Sequence, residues 1–123
     1  MAANVLIVED SPTQALRLKL VLQKAGLKVE VAGNGLQAVD MATQSPPDAV
    51  ILDVNLPDIS GLEVCQRLKR QPATAGTPVI MLTVKDRAVD ALSGLEVGAD
   101  AYIPKDDFAE SNLLQALRDM GVV

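Results

Sequence analysis

The sequence predicts a doubly wound α/β domain, a five-stranded parallel sheet with helices on both faces. Three observations support this fold. Short apolar runs alternate with amphipathic helical patterns along the whole chain, as they do in successive βα units. The central runs are apolar at every position, which is typical of strands buried on both sides. Hydrophobic residues make up 49% of the 123, so residues 1–123 suit one domain with a full core.

The first strand and the first helix have clear boundaries in the sequence. Asn4–Val8 is predicted to be a buried strand. Ser11 and Pro12 supply an N-cap and a first-turn proline, and Gly26 is placed to end the helix that follows. The apolar stripe of that helix has the helical spacing i, i+3, i+4, i+7, at Leu18, Val21, Leu22 and Ala25.

A second strand, a second helix and a third strand come next. Leu27–Ala32 alternates charged and apolar residues, which favours a position at the edge of the sheet. After a turn at residues 34–35, a helix runs to about Ser45, and two consecutive prolines stop it. Asp48–Leu52 is then predicted to be a short buried strand.

The second half of the chain supplies two more strands and three more helices. A loop over Asn55–Gly61 leads into the third helix, and Thr77–Leu82 is the predicted fourth strand. A fourth helix begins with Asp86 as its cap and ends near Gly98, and Asp100–Ile103 is a short fifth strand. The apolar positions of the third and last helices are Leu62, Cys65 and Leu68, then Leu113, Leu114, Leu117 and Met120.

The order of the strands follows from the connections. Right-handed crossovers and a chain of this length favour the flavodoxin-like strand order 2-1-3-4-5. In that order the first and third strands are neighbours, and the chain leaves them in opposite directions. A crevice therefore opens at their carboxyl ends, where such folds bind their ligands.

Composition excludes several classes of function. The net charge of −5 argues against a stand-alone nucleic-acid-binding role, which needs a basic face. The absence of histidine excludes Ser-His-Asp catalysis and histidine metal sites. The single cysteine, Cys65, allows no internal disulfide. No stretch is long and apolar enough to span a membrane, and no leader-like segment opens the chain, so a cytoplasmic location is predicted.

Acidic residues follow the two strands that flank the predicted crevice. Glu9 and Asp10 come after the first strand, and Asp53 follows the third. Three carboxylates at the ends of neighbouring strands repel one another, and a bound divalent cation offsets that repulsion. Hard oxygen ligands suit Mg²⁺, which keeps several waters and accepts phosphate oxygens. The sequence therefore predicts a Mg²⁺ site, to which Asn55 can add its backbone carbonyl.

Two further polar residues stand at the ends of the fourth and fifth strands. Thr83 offers a hydroxyl that can bond to a phosphate oxygen, and Lys105 offers an ammonium that can hold Asp53 and then a phosphate oxygen. Aspartate is a known covalent acceptor of phosphoryl groups. The metal and Lys105 would offset charge on a group transferred in line. Phosphoryl transfer onto Asp53 is the chemistry these residues favour.

Five short motifs stand in order at the predicted strand ends. They are Val8-Glu9-Asp10, Ile51-Leu52-Asp53, the Leu-Pro-Asp-Ile-Ser-Gly loop at 56–61, Leu82-Thr83 and Tyr102-Ile103-Pro104-Lys105. Taken together and in this order, they make the chain resemble a two-component response-regulator receiver domain over essentially its whole length.

The resemblance implies a phosphorylation switch without independent substrate turnover. Asp53 would take a phosphoryl group from a histidine kinase or a histidine phosphotransfer domain, with Mg²⁺ held by Glu9, Asp10 and Asp53. Thr83 would swing toward the phosphate and Tyr102 would turn inward. The face made by the fourth helix, the fifth strand and the last helix would then change shape for an output partner or for homodimer formation.

One junction departs from the family pattern. Most relatives follow the lysine with a proline whose preceding bond is cis, whereas here Asp106 follows Lys105 and Pro104 precedes it. Either this loop carries a strained cis bond without proline, or it differs locally and Lys105 is aimed elsewhere. The ending Lys-Asp-Asp-Phe is similar to that of receivers attached to chemotaxis-type hybrid kinases.

Two other functions compete with the switch. A pseudo-receiver would keep the fold and lack phosphorylation, and only Val84 and the Lys105–Asp106 junction leave room for it. A phosphatase of the haloacid dehalogenase type also uses an aspartate nucleophile after a buried strand. That class needs a second aspartate two residues later, where this chain has Asn55. A flavin-binding module would need a phosphate-cradling loop after the first strand, and none is present.

Overall fold

The computed structural model describes residues 2–84 and 98–123, apart from the side chain of Val84. These residues form one parallel sheet with the strand order β2-β1-β3-β4-β5. The strands are β1 (Asn4–Val8), β2 (Lys28–Ala32), β3 (Ala49–Asp53), β4 (Val79–Val84) and β5 (Ala101–Lys105). The helices described are α1 (Pro12–Lys24), α2 (Gly35–Gln44), α3 (Gly61–Arg70) and a C-terminal helix (Ala109–Asp119). The predicted flavodoxin-like fold is confirmed, and residues 86–97 of the predicted fourth helix lie outside the described part.

The first three helices begin at hydroxyl or amide caps, whereas the C-terminal helix follows Phe108 without a side-chain cap. Ser11 Oγ accepts a hydrogen bond from the backbone of Gln14 at the start of α1, with Pro12 in the first turn. Asn34 caps α2 in the same way, so the predicted turn at residues 34–35 is the beginning of that helix. Gly26 has φ +90°, a conformation that suits glycine, and follows the end of α1 as predicted.

The core consists of two apolar layers on opposite faces of the sheet. One layer packs the sheet against α2 and α3 and includes Leu52 and Leu68. The other packs it against α1 and the C-terminal helix and includes Ile51 and Leu117. Ile51 and Leu52 are adjacent in β3 and face opposite layers, as the two-residue period of a strand requires. Every residue of β3 is buried, as the apolar run predicts.

Three strands are longer at their carboxyl ends than the apolar runs predict. Asp53 is the last residue of β3, where it is aligned with Leu82, and the backbone N–H of Val54 donates to the Leu82 carbonyl at 3.1 Å. Likewise β4 includes Thr83, and β5 ends at Lys105. Backbone pairing continues past the last apolar side chain, so the polar residues are held by the sheet itself rather than by loops.

Among the residues described, no helix is both long enough and apolar enough to cross a membrane.

Candidate functional site

Three carboxylates meet at the carboxyl edge of the sheet. Asp53 and Glu9 are 5% and 4% exposed, whereas Asp10 lies in solvent. One oxygen from each of the three lies within 4.8 Å of the other two. They come together because β1 and β3 are direct neighbours, with Val8 aligned with Leu52. The predicted acidic cluster is thus a real feature of the fold.

Lys105 lies across this cluster from β5. Its Nζ donates to Asp53 Oδ2 at 2.6 Å and to Glu9 Oε2 at 3.2 Å. A third hydrogen bond, at 3.1 Å, goes to the side-chain oxygen Oε1 of Gln14 in the first turn of α1. The Lys105 side chain is only 26% exposed, so these contacts lie in a partly desolvated setting where charges interact strongly.

The electrostatics of the cluster follow from this crowding. Burial, followed by a hydrogen bond with Asp53 and by its charge, raises the pKa of Glu9 to about 7. Burial alone would lower the pKa of Lys105, but the hydrogen bond and charge of Asp53, with a contribution from Glu9, outweigh it and raise that pKa. Near neutral pH, when no cation is bound, the site therefore holds a charged lysine and a Glu9 carboxyl that is only partly ionised.

The loop after Asp53 is anchored to the strand end. The backbone N–H of Asn55 donates to Asp53 Oδ1 at 3.1 Å, and Gly61 N–H donates to the Val54 carbonyl at 2.8 Å. A Cβ atom at Gly61 would lie 2.1 Å from the Asp53 carbonyl oxygen. Only glycine fits at this close approach, so Gly61 fixes the backbone that carries Asp53. Asn55 itself is exposed beside the cluster.

Asp58 makes a contact with the start of α2 that the sequence does not predict. Its two carboxylate oxygens accept hydrogen bonds from the backbone N–H groups of Gly35 and Leu36, each at 2.8 Å. Desolvation acts to raise the pKa of Asp58, but backbone hydrogen bonds, led by those from Leu36 and Gly35, together outweigh it and lower that pKa. Asp58 thereby ties the loop after β3 to the first turn of α2, where a carboxylate is favourable.

Thr83 and Tyr102 lie on neighbouring strands. Thr83 is buried, and its Oγ1 has no hydrogen-bond partner among the residues described. Tyr102 is half-buried, aligned with Met81, and packs against the layer that contains α2 and α3. Burying a hydroxyl without a hydrogen-bond partner costs free energy. A ligand that supplies the missing hydrogen bond removes that cost.

The junction after Lys105 resolves the alternative raised by the sequence. No cis peptide bond occurs among the residues described, so the Lys105–Asp106 bond is trans. The Asp106 N–H donates to the Pro104 carbonyl at 3.0 Å, which forms a tight local turn. Lys105 nevertheless points at Asp53. The predicted cis bond is therefore wrong, and so is the prediction that Lys105 is aimed elsewhere, although the loop does differ locally as the second alternative states. Val84 also left room for a pseudo-receiver, and only its backbone is described.

The donor set fits a hard divalent cation. Three carboxylates would supply oxygen ligands, and the exposed Asp10 leaves room for the waters that such a cation retains. Thr83 Oγ1 adds a buried polar atom that a phosphate oxygen can satisfy. The residues that the sequence singled out are therefore compatible with Mg²⁺ and a phosphoryl group.

Comparison with known proteins agrees with this geometry. The family model for the response regulator receiver domain matches residues 5–118. The DNA-binding response regulator MtrA of Mycolicibacterium smegmatis is 41% identical over 105 residues, which are 85% of this chain and 45% of MtrA. The chain spans about half the length of the curated relatives it matches.

Solved structures with the same fold extend the comparison. The chemotaxis response regulator CheY4 of Vibrio cholerae has a TM-score of 0.89 and 32% identity, covering 98% of this chain and 99% of that one. The receiver domain of the sensor histidine kinase PA1611 of Pseudomonas aeruginosa has a TM-score of 0.88 and 27% identity, with the same coverage. That structure has a magnesium ion coordinated in its active-site cleft. The chain belongs to the response-regulator receiver domain family.

Proposed function

We propose that Asp53 is the phosphoacceptor of a two-component signalling switch. The observation that carries the proposal is the 2.6 Å contact between Lys105 Nζ and the buried Asp53 carboxylate, within a cluster of three acids. A lysine ammonium held against a buried nucleophile offsets the negative charge that an incoming phosphoryl group brings. No feature among the described residues favours either of the competing functions.

The proposed reaction forms one bond and breaks one. A carboxylate oxygen of Asp53 attacks phosphorus to form a P–O bond, while the P–N bond to a donor histidine breaks. The imidazole nitrogen leaves with the bonding electrons and takes up a proton. The chain has no histidine, so the donor residue belongs outside these 123 residues, to a histidine kinase or a phosphotransfer domain.

Mg²⁺ would be held by Glu9, Asp10 and Asp53, with the Asn55 carbonyl as a further ligand. When bound, it would neutralise charge on the phosphoryl oxygens and on the cluster. The chain's own residues do the rest: Lys105 holds Asp53 and then a phosphoryl oxygen, and the Asn55 N–H keeps Asp53 oriented. The magnesium in the PA1611 receiver supports this assignment.

The output would come from Thr83 and Tyr102. We propose that Thr83 Oγ1 bonds to a phosphoryl oxygen, and that Tyr102 turns inward as the threonine moves. The buried Thr83 hydroxyl, which has no hydrogen-bond partner within residues 2–84 and 98–123, supports this role. The face that would change is formed by β5, the C-terminal helix and the fourth helix that the sequence predicts, and it would bind an output partner or a second copy of the chain. No separate substrate turnover is expected.

The proposal is tested by labelling the chain with radioactive acetyl phosphate in the presence of Mg²⁺. Asp53→Ala removes the only proposed acceptor oxygen atoms, so labelling is expected to vanish. Asp40→Ala, an exposed acid on α2, is the matched control and is expected to label like the parent chain. If the Asp53→Ala chain is still labelled, Asp53 is not the phosphoacceptor.

A further inference from the structure

Gln14 is the one uncharged partner of the Lys105 ammonium among the contacts described. An ammonium has three N–H donors and no acceptor, and here the three contacts go to Asp53, Glu9 and Gln14. Asp53 and Glu9 both belong to the acidic cluster. Gln14 lies outside that cluster and supplies an amide oxygen. No motif in the sequence marks it, since it is an exposed residue in the first turn of a helix.

Other contacts hold the first turn of α1 in place. The backbone N–H of Gln14 donates to the Ser11 hydroxyl at 3.4 Å, as part of the helix cap. One turn later, Arg17 forms an ion pair with Glu110 of the C-terminal helix. The Gln14 backbone is therefore part of a capped helix turn, and its side chain reaches Lys105 from an element that the acidic cluster does not include.

A cation in the cluster would change the surroundings of Lys105. It would compete for the carboxylate oxygens of Glu9 and Asp53 that now accept hydrogen bonds from Lys105, and like charges would repel the ammonium. The amide oxygen of Gln14 is not drawn into the cluster and keeps its lone pairs for the lysine. We infer that Gln14 is a positioning residue that keeps Lys105 within reach of Asp53 when a divalent cation occupies the cluster.

This inference rests on the proposed phosphoacceptor function and deepens it. With acetyl phosphate as donor, the Asp53 oxygen–phosphorus bond forms as the phosphorus–oxygen bond to acetate breaks, and acetate leaves with the electron pair. Lys105 offsets charge on the transferred group only if it stays close during that step. Gln14 therefore affects the first-order rate of transfer, and neither the cation affinity nor the donor affinity depends on it directly.

Two substitutions separate the hydrogen bond from the bulk of the side chain. Gln14→Met keeps the length and removes the oxygen acceptor, while Gln14→Glu keeps an oxygen acceptor at the same distance. At saturating Mg²⁺ and acetyl phosphate, we expect Gln14→Met to lower the labelling rate about fivefold, as for a partly exposed hydrogen bond to a charged group. Gln14→Glu is expected to stay within about twofold of the parent. The Mg²⁺ concentration for half-maximal rate should not change in Gln14→Met.

A second readout does not depend on activity. The ¹H–¹⁵N correlation signal of the Lys105 ammonium, recorded with Mg²⁺ present, should shift or broaden in Gln14→Met and stay close to the parent signal in Gln14→Glu. Gln23→Met, an exposed glutamine two turns further along α1, is the control for the chemical change and should alter neither measurement. Equal free energies of unfolding in urea would show that the variants keep the fold.

The outcomes separate the two proposals. If the parent chain is labelled at Asp53 and Gln14→Met matches it in rate and in ammonium signal, the role of Gln14 is overturned and the phosphoacceptor function stands. If Gln14→Glu lowers the labelling rate as much as Gln14→Met does, the role of Gln14 is also overturned. A parent chain that takes no label would remove the phosphoacceptor function, and the inference with it.

Discussion

At the scale of single residues, the described part of the site combines a buried acid pair with Lys105. Glu9 and Asp53 are both almost fully buried, and Lys105 supplies one positive charge for the two of them. One of the two acids therefore keeps a proton readily, and Glu9, with its pKa raised to about 7, is that acid. A cation would displace this proton, which couples metal binding to pH.

The raised pKa of Glu9 predicts how stability depends on pH in the metal-free chain. Between about pH 4.5 and 7 the unfolded chain loses the Glu9 proton while the folded chain keeps it, so this contribution to the free energy of unfolding falls as pH rises. We expect it to amount to ~2 kcal/mol, less than the pKa alone implies, because the site is open to solvent at Asp10.

Urea unfolding from pH 5 to 8.5 with a chelator present measures this contribution. In Glu9→Gln the free energy of unfolding should fall less as pH rises, and the variant should be more stable than the parent above pH 7. Glu63→Gln, an exposed acid on α3, serves as the control and should follow the parent profile. A parallel profile for the parent and Glu9→Gln would contradict the account of the buried acid pair.

At the scale of elements, strand ends and the loop after β3 place the site residues. Asp53, Thr83 and Lys105 all lie within strands, so their backbones are fixed by sheet pairing. The loop after β3 is tied at two points, at Gly61 by close backbone approach and at Asp58 by capping of α2. These contacts keep the Asp53 carboxylate rigid at the mouth of the crevice, where a moving nucleophile would lose reactivity.

Gly61→Ala is expected to damage both the fold and the site. Its Cβ would lie 2.1 Å from the Asp53 carbonyl oxygen and 2.9 Å from Val54 Cα, so β3 or α3 must move. We expect a loss of about 3 kcal/mol in the free energy of unfolding, with slower labelling of Asp53.

Gly76→Ala provides a matched control for Gly61→Ala. No atom lies within 4 Å of a Cβ at Gly76, so its stability should change by less than about 1 kcal/mol. Equal stability of the two variants in urea unfolding would show that the close approach at Gly61 does not constrain the strand end.

At the scale of the whole molecule, one sheet shared by two apolar layers brings four strand ends to one edge. Adjacent residues of β3 serve opposite layers, Leu52 with α2 and α3, and Ile51 with α1 and the C-terminal helix. Because both layers depend on the same strands, the register that buries the core also aligns the site. Lys105 is 52 residues from Asp53 and 96 from Glu9 in the sequence, and the three still meet because parallel strands end at the same edge.

Much of this arrangement could be predicted from the sequence, and the rest has a physical reason for escaping it. The apolar runs predict the strands, and their order predicts that Glu9, Asp10, Asp53 and Lys105 converge. The bond after Lys105 is trans, the default for a bond without proline, but the local turn from Pro104 to Asp106 that still aims Lys105 at Asp53 is not encoded by propensity. The contacts of Gln14 and Asp58 depend on how helix ends are oriented against the sheet. Such orientations are set by packing between distant elements, which a pattern of residue types does not contain.

A crystal structure of this chain grown with Mg²⁺ and beryllofluoride tests the phosphoacceptor site most directly. We expect a magnesium ion among Glu9, Asp10 and Asp53, about 2.1 Å from the oxygens that bind it directly. We also expect a fluoroberyllate group on Asp53 with Lys105 Nζ against a fluorine atom. Crystals in which neither group occupies this cluster, or in which beryllofluoride binds another residue, would contradict the assignment of Asp53.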